Sequence, residues 1–295
     1  MRRLAFAAAA LTLVTLASPA AAQLKLPRIS PDASVKQTIG VTDLAVTYSR
    51  PGVKDRVIWG GLEAYDKPWR TGANNATTFT TSHDITFGGQ PLGAGTYGLA
   101  TIPGKDTWVV ILNSQSDVWG TQYDESKDVL RVTVKPEVAP HQEWLFIGFD
   151  DMFPASGSTI SDQANLVIRW DKLRLAVPIK VDVTGNALAN CREAVTAAKP
   201  DDWRTAFNAA RYSFSNDVGL DEGKGWLEKS LAVQKNYTNL TLLARWQMKD
   251  GMKKEAIATA KQAIAAGKAS KDKVDTSETE KLVDEWSGKG ASKKS

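Results

Sequence analysis

The 295 residues leave room for one large domain or two of ordinary size, and a single cysteine, Cys191, excludes an intramolecular disulfide. The formal charge of +4 is spread thinly: residues 23–183 carry 16 basic and 18 acidic side chains, and residues 184–295 carry 19 and 15. Neither half concentrates the positive charge that a phosphate backbone demands, so nucleic acid is excluded as a partner.

Met1-Arg2-Arg3, the apolar run from Leu4 to Ala17 and the small residues Ala20-Ala21-Ala22 form the three parts of a secretory signal peptide, with cleavage expected after Ala22. The run is shorter than the roughly 20 residues that span a bilayer, so no membrane span is expected. The residue after the cut is Gln23, not a cysteine, so no lipid anchor is expected there. A periplasmic or secreted protein is expected.

Composition then divides the chain at Val183-Thr184-Gly185-Asn186. Before this point, β-branched and aromatic residues alternate with polar ones. Period-2 patterning predicts strands over 44–49, 77–87, 96–102, 107–113, 129–135, 143–150, 165–170 and 173–183. Gly88-Gly89 reads as a hairpin turn, Pro103-Gly104-Lys105-Asp106 as a second turn, and Asp171-Lys172 as the break between the last two strands. About eight short antiparallel strands predict a β-sandwich, jelly-roll-like, over 30–183.

After the boundary, alanine, lysine and glutamate dominate and no proline follows Pro200. A helix is expected over 187–199, and the next near Trp203 with Asp201 or Asp202 as its cap. An offset of 33 aligns Gly223 with Ala256, Leu227 with Ala260, Ser230 with Ala263 and Leu231 with Ile264. The unit from Leu243 to Ile264 resembles a tetratricopeptide repeat in its small-residue positions. The fold class expected is therefore α+β by segregated domains: the sandwich, then a tetratricopeptide-like helical region over 187–287 and a disordered tail over 288–295.

Chemistry-bearing residues are sparse. The chain has two histidines, His83 and His141, and lacks a Gly-x-Ser-x-Gly elbow and an Asp-x-Asp-x-Asp loop, so no metal site and no cofactor are expected. Cys191 reads as a small buried residue rather than a reactive thiol. Asp150-Asp151 are neighbours on a strand, where successive side chains point to opposite faces and do not form an acid/base pair without a turn. Trp108, Trp144 and Trp170 sit at regular strand positions and are expected in the core, whereas Trp59, Trp69 and Trp119 lie in loops as possible platforms for sugars or peptides.

The densest polar stretch is Pro68-Trp69-Arg70-Thr71-Gly72-Ala73-Asn74-Asn75-Ala76-Thr77. With Arg50 to Arg56 it brings arginines, amides and hydroxyls from two loops, and a guanidinium binds carboxylate or phosphate bidentately. The candidate ligand-binding residues are Arg50, Arg56, Trp69, Arg70, Thr71, Asn74 and Thr77. The competing reading is structural: Arg70 satisfies loop carbonyls, and Asn74 caps a turn that Gly72 opens.

The same region carries a family resemblance. Ser30-Pro31, Val35-Lys36-Gln37-Thr38-Ile39-Gly40, Tyr48 to Lys54, Trp69 to Thr77, Leu92 to Leu99 and Thr101 to Asp106 together resemble the bacterial family known as domain of unknown function 2911. Asp55 stands where that family has a glycine before its arginine, and Gly93 where it has a proline. The resemblance spans about 30–182. It implies export and an all-β domain, and attaches no reaction.

The residues thus favour a non-enzymatic periplasmic binding or scaffolding module. A small polar ligand or glycan is expected at the β loops, and a protein or peptide partner at the helical region. The alternative is an envelope hydrolase or isomerase for a cell-wall or carbohydrate substrate, with His83 or Asp84 as base and Arg70 stabilising the oxyanion.

Overall fold

The computed structural model describes residues 26–154 and 160–288. The expected signal peptide, and all of the expected tail except Gly288, lie outside them. Ten strands come first: β1 (Asp32–Ile39), β2 (Thr42–Ser49), β3 (Thr77–Thr81), β4 (Ile85–Phe87), β5 (Gln90–Leu92), β6 (Gly95–Ile102), β7 (Trp108–Asn113), β8 (Asp128–Val134), β9 (Glu137–Pro154) and β10 (Ser161–Val181). They form a six-stranded sheet in the order β1-β2-β3-β6-β7-β8 and a four-stranded sheet in the order β5-β4-β10-β9. Every pairing between named strands is antiparallel.

The two sheets share one core. Leu44, Val46, Phe79, Leu99, Val110 and Leu112 from the larger sheet meet Phe87, Leu145, Ile147, Leu166, Val177 and Ile179 from the smaller. Each set follows the period-2 alternation of its strand, which buries one face and leaves the other to solvent. The expected single strand over 77–87 is two strands, because the chain crosses between sheets at Ser82-His83-Asp84. The expected strands 165–170 and 173–183 are one. Asp171, at φ +52°, makes a register irregularity against β9 rather than a turn.

Among the described residues six α-helices follow: α1 (Val183–Ala197), α2 (Trp203–Asn216), α3 (Leu220–Val233), α4 (Tyr237–Lys249), α5 (Lys253–Ala269) and α6 (Ser277–Trp286). Asp202 caps α2, its carboxylate accepting from the Arg204 and Thr205 amides. At α4, Asn236 and Asn239 form a reciprocal capping box. The positions aligned at an offset of 33 are interface positions: Gly223, Leu227 and Ser230 are buried on α3, as are Ala256, Ala260 and Ala263 on α5. Small residues there allow close helix approach. A Cβ on Gly223 would lie 2.3 Å from the Ser213 hydroxyl oxygen of α2. Cys191 is half-buried on α1, and burial pushes its thiol pKa up, away from thiolate chemistry. Among the described residues, no helix is long and apolar enough to cross a membrane.

Candidate functional site

Between β2 and β3 the chain makes a long excursion, residues 50–76, over one end of the sandwich. Trp69 ties it down. Its amide donates to the Thr101 carbonyl of β6 at 2.7 Å and its carbonyl accepts from the Thr101 amide at 2.8 Å, a one-residue extension of the sheet. That pairing sends the Trp69 ring inward, where it is 4 % exposed and stacks on Trp170 with centroids 5.5 Å apart. Trp59 packs edge-on to Trp108 at 4.6 Å and to Trp69 at 5.7 Å. Four indoles, two from this excursion and two from strands β7 and β10, thus make one block. Trp59 and Trp69 are therefore core groups rather than the exposed platforms expected of them. Trp144, expected in the core, is 37 % exposed with the Lys54 ammonium 5.6 Å over its ring. It lies on the opposite strand face from buried Leu145 and Ile147.

Beyond Trp69 the motif holds itself together. Thr71 is fully buried at φ +54°, a left-handed conformation that is a genuine outlier for a β-branched residue. Its hydroxyl donates to Thr101 Oγ1 at 3.1 Å, and the Thr77 hydroxyl donates to the Thr71 carbonyl at 2.8 Å. Gly72 is required because a Cβ would sit 2.8 Å from Thr77 Oγ1. Asn74, also left-handed, donates from Nδ2 to the Ser30 carbonyl at 3.3 Å. Arg50 Nε donates to the Leu145 carbonyl at 2.6 Å, and Arg56 donates from Nε and Nη2 to the Val53 and Gly52 carbonyls. Arg56 and Arg70 both act on one group, the Glu63 carboxyl, whereas Arg50 does not. Asp55, where a glycine was expected, has φ +58°, the region that glycine adopts without cost and aspartate tolerates.

Arg70 is different. It is flanked by inward Trp69 and inward Thr71, and lines a cavity of about 280 Å³. Its guanidinium makes no hydrogen bond and no ion pair among the described residues, and its Nε is buried without a partner. The opposite wall is the β7–β8 connection. Asn113 shapes it, donating to the Asp124 carbonyl and the Asp128 carboxylate while accepting from the Gln115 amide. Gly120 packs on the Arg70 stem: a Cβ there would lie 2.1 Å from Arg70 Cδ. Gln115 Oε1 is also buried without a partner. Trp119, at the rim, is 54 % exposed, its amide donating to Gln122 Oε1.

Glu63, which sequence reasoning missed, completes the cavity. Burial raises its carboxyl from the ordinary value of 4.5 to about 7, against a smaller opposing pull from Arg70 and then Arg56. Tyr123 also lines the cavity. Its hydroxyl donates to Asp128 and accepts from Arg131, and burial with that carboxylate pushes its pKa up to about 12.

The other expected groups sit elsewhere. His83 Nδ1 is 2.9 Å from Ser82 Oγ, and Asp84 accepts from the Ala94 amide; neither lines the Arg70 cavity. Asp151 is left-handed at φ +51°, so Asp150 and Asp151 do turn toward a common partner, the Arg174 guanidinium at 3.0 and 2.8 Å. Among the described residues, no group of three or more histidine, cysteine or acidic side chains is arranged to hold a metal ion.

No curated protein and no solved structure gives a match. A family profile described as "Protein of unknown function (DUF2911)" matches residues 30–179, just over half the chain and nearly the whole two-sheet region that builds this cavity. The chain belongs to the DUF2911 family.

Proposed function

We propose that the protein is a non-enzymatic binding module acting in the periplasm or outside the cell. The cavity of the β part takes a small polar ligand or glycan, and the helical part, a second domain beginning near 187, takes a protein partner. One observation carries the reading: a guanidinium in a cavity with no hydrogen bond and no ion pair to the rest of the described chain. A buried donor without an acceptor costs free energy, and a ligand oxygen recovers it. The volume lies near the lower end of ligand pockets, roughly 300–1,000 Å³. For the helical part, a groove lined by Phe207, Arg211, Phe214, Tyr237 and Arg245 supports a peptide partner.

Glu63 favours a second reading, a hydrolase or isomerase, because a carboxyl near neutrality suits proton transfer. Glycoside hydrolysis generally needs a second carboxyl across the scissile bond, and among the described residues lining the cavity Glu63 is the one acidic side chain. Binding is therefore the reading we retain. It is tested by titrating the mature chain with cell-wall and plant-polysaccharide fragments while following tryptophan emission. Saturable binding lost in Arg70→Met is expected. Turnover of any bound fragment, abolished in Glu63→Gln, would replace binding with catalysis.

A further inference from the structure

We infer that the cavity selects an acidic sugar, a pyranose ring bearing a carboxylate, with the carboxylate on the Arg70 guanidinium and the ring against the Trp119 indole. This rests on the binding reading and narrows it to a ligand class.

Charge comes first. Arg70 is a permanent cation with a planar fork of donors, and the matching acceptor is a carboxylate or phosphate. Glu63 shares the cavity and feels the Arg70 charge, yet the two form no ion pair within 4.0 Å. The protein's own carboxylate therefore leaves the fork open to a ligand. Among carboxylates, the remaining walls favour a ring with hydroxyls. Trp119 offers an exposed indole on the rim, the kind of apolar face on which the C–H side of a pyranose stacks. Gln115 Oε1 is a buried acceptor lacking a donor, which a sugar hydroxyl supplies and a simple carboxylate does not.

The rest of the excursion fixes Arg70 for this task. Trp69 and Thr71 on either side are buried and hydrogen-bonded to β6, and Gly120 leaves room for the arginine stem to cross the β7–β8 connection. Thr71, next to Arg70, is the β-branched residue held at positive φ in this excursion, and backbone strain of that kind recurs beside ligand groups.

Protonation tunes the site. The charged groups facing Glu63 are Arg70 and Arg56 from its own excursion. Across the cavity is Tyr123, whose hydroxyl is engaged with Asp128 and Arg131. Below about pH 7 Glu63 is neutral and the cavity is cationic; above it, a carboxylate competes with the ligand for Arg70. Affinity for an acidic sugar therefore falls as pH rises through neutrality.

The test is calorimetric titration of the full mature chain with galacturonate and glucuronate, their neutral parents galactose and glucose, and citrate as a ringless carboxylate. The expected result is at least tenfold tighter binding of one uronate than of its neutral parent and of citrate, weakening from about pH 6 to about pH 8. Arg70→Met should erase the preference, and Trp119→Ala should weaken both members of the pair. Glu63→Gln should flatten the pH profile. Equal or better binding of the neutral parent would overturn this inference while leaving the binding reading intact, and citrate binding as tightly as the uronate would overturn the sugar part. Absence of any heat from all five would remove the acidic-sugar assignment, and the broader fragment titration would then decide the binding reading by itself. If Arg70→Met melts as an unfolded chain, the comparison of uronate with neutral sugar in the unmodified protein still decides.

Discussion

Arg70 and Thr77 lie seven positions apart in one motif, and replacing them should affect stability in opposite ways. The Thr77 side chain is fully buried and its hydroxyl donates to the Thr71 carbonyl at 2.8 Å. Thr77→Val keeps the shape and deletes the donor, leaving a buried carbonyl oxygen unsatisfied at a cost of about 1–3 kcal/mol. At roughly 2–4 °C per kcal/mol for a region of this size, the melting temperature should fall by about 2–12 °C. Arg70→Met keeps an unbranched stem and removes a guanidinium whose Nε is buried without a partner. Its melting temperature should be unchanged or raised, as is common when a group kept for binding is removed. Calorimetry, with near-ultraviolet dichroism reporting on the four-tryptophan block, reads both. A fall for Arg70→Met as large as that for Thr77→Val would place Arg70 among the structural bonds of the motif and take away the support for a binding role.

Further outcomes follow from particular contacts. Folded Glu63 keeps its proton up to about pH 7, whereas unfolded glutamate releases it near 4.5. Its contribution to stability is therefore full below pH 4.5 and lost as pH rises to about 7, and Glu63→Gln should flatten the decline in melting temperature across that window. In α3, a Cβ on Gly223 meets Ser213 and Trp246 at 2.3 and 2.8 Å, whereas one on Gly225 meets nothing within 4 Å. Gly225→Ala should gain up to about 1 kcal/mol of helix propensity, while Gly223→Ala should lose up to about 2 kcal/mol after overpacking is set against the same gain. Helical dichroism melts that move both variants in the same direction would contradict this packing. Arg174 joins Glu137, Asp150 and Asp151, and is itself 19 % exposed. Arg174→Met should cost about 1–2 kcal/mol, between exposed and buried pairs, and the loss should shrink in high salt as repulsion among the remaining carboxylates is screened. A loss indifferent to salt would point to packing of the arginine stem instead.

The sandwich was legible wherever one face of a strand is apolar and the other wet. Thr42, Leu44, Val46 and Tyr48 are buried in alternation, and so the β2 pattern could be read directly. The same rule misled over 77–87. Thr77, Phe79, Thr81, Ile85 and Phe87 share one parity and are all buried, but period 2 does not reveal that the chain changes sheet at His83. β1 was missed because Asp-Ala-Ser-Val-Lys-Gln-Thr-Ile is an edge strand with almost no fully buried side chain. Trp144 was legible in retrospect: buried Leu145 and Ile147 set the inward parity, and Trp144 lies off it. Glu63 carried no local signal. Its perturbation comes from burial, and only the fold creates that.

The motif around Arg70 combines residues whose polar groups are matched within the chain with one whose guanidinium is not. Trp69, Thr71 and Thr77 turn inward and satisfy one another or β6. Arg50, Arg56 and Asn74 spend donors on backbone carbonyls. Among the seven, the Trp69 indole Nε1 and the Arg70 Nε are both buried without a partner, but only Arg70 is a cation, and it sits between two residues that cannot move without breaking the lock. A protein that only needed to close this end of the sandwich would gain by placing an apolar side chain at position 70, since a half-buried guanidinium without an acceptor is a net cost. The lock is what holds that costly group at a fixed point in a cavity. Rigidity of this kind lowers the entropy lost when a ligand binds. Structural bonds and an unmatched cation in one motif are therefore two parts of one arrangement, with the first making the second specific.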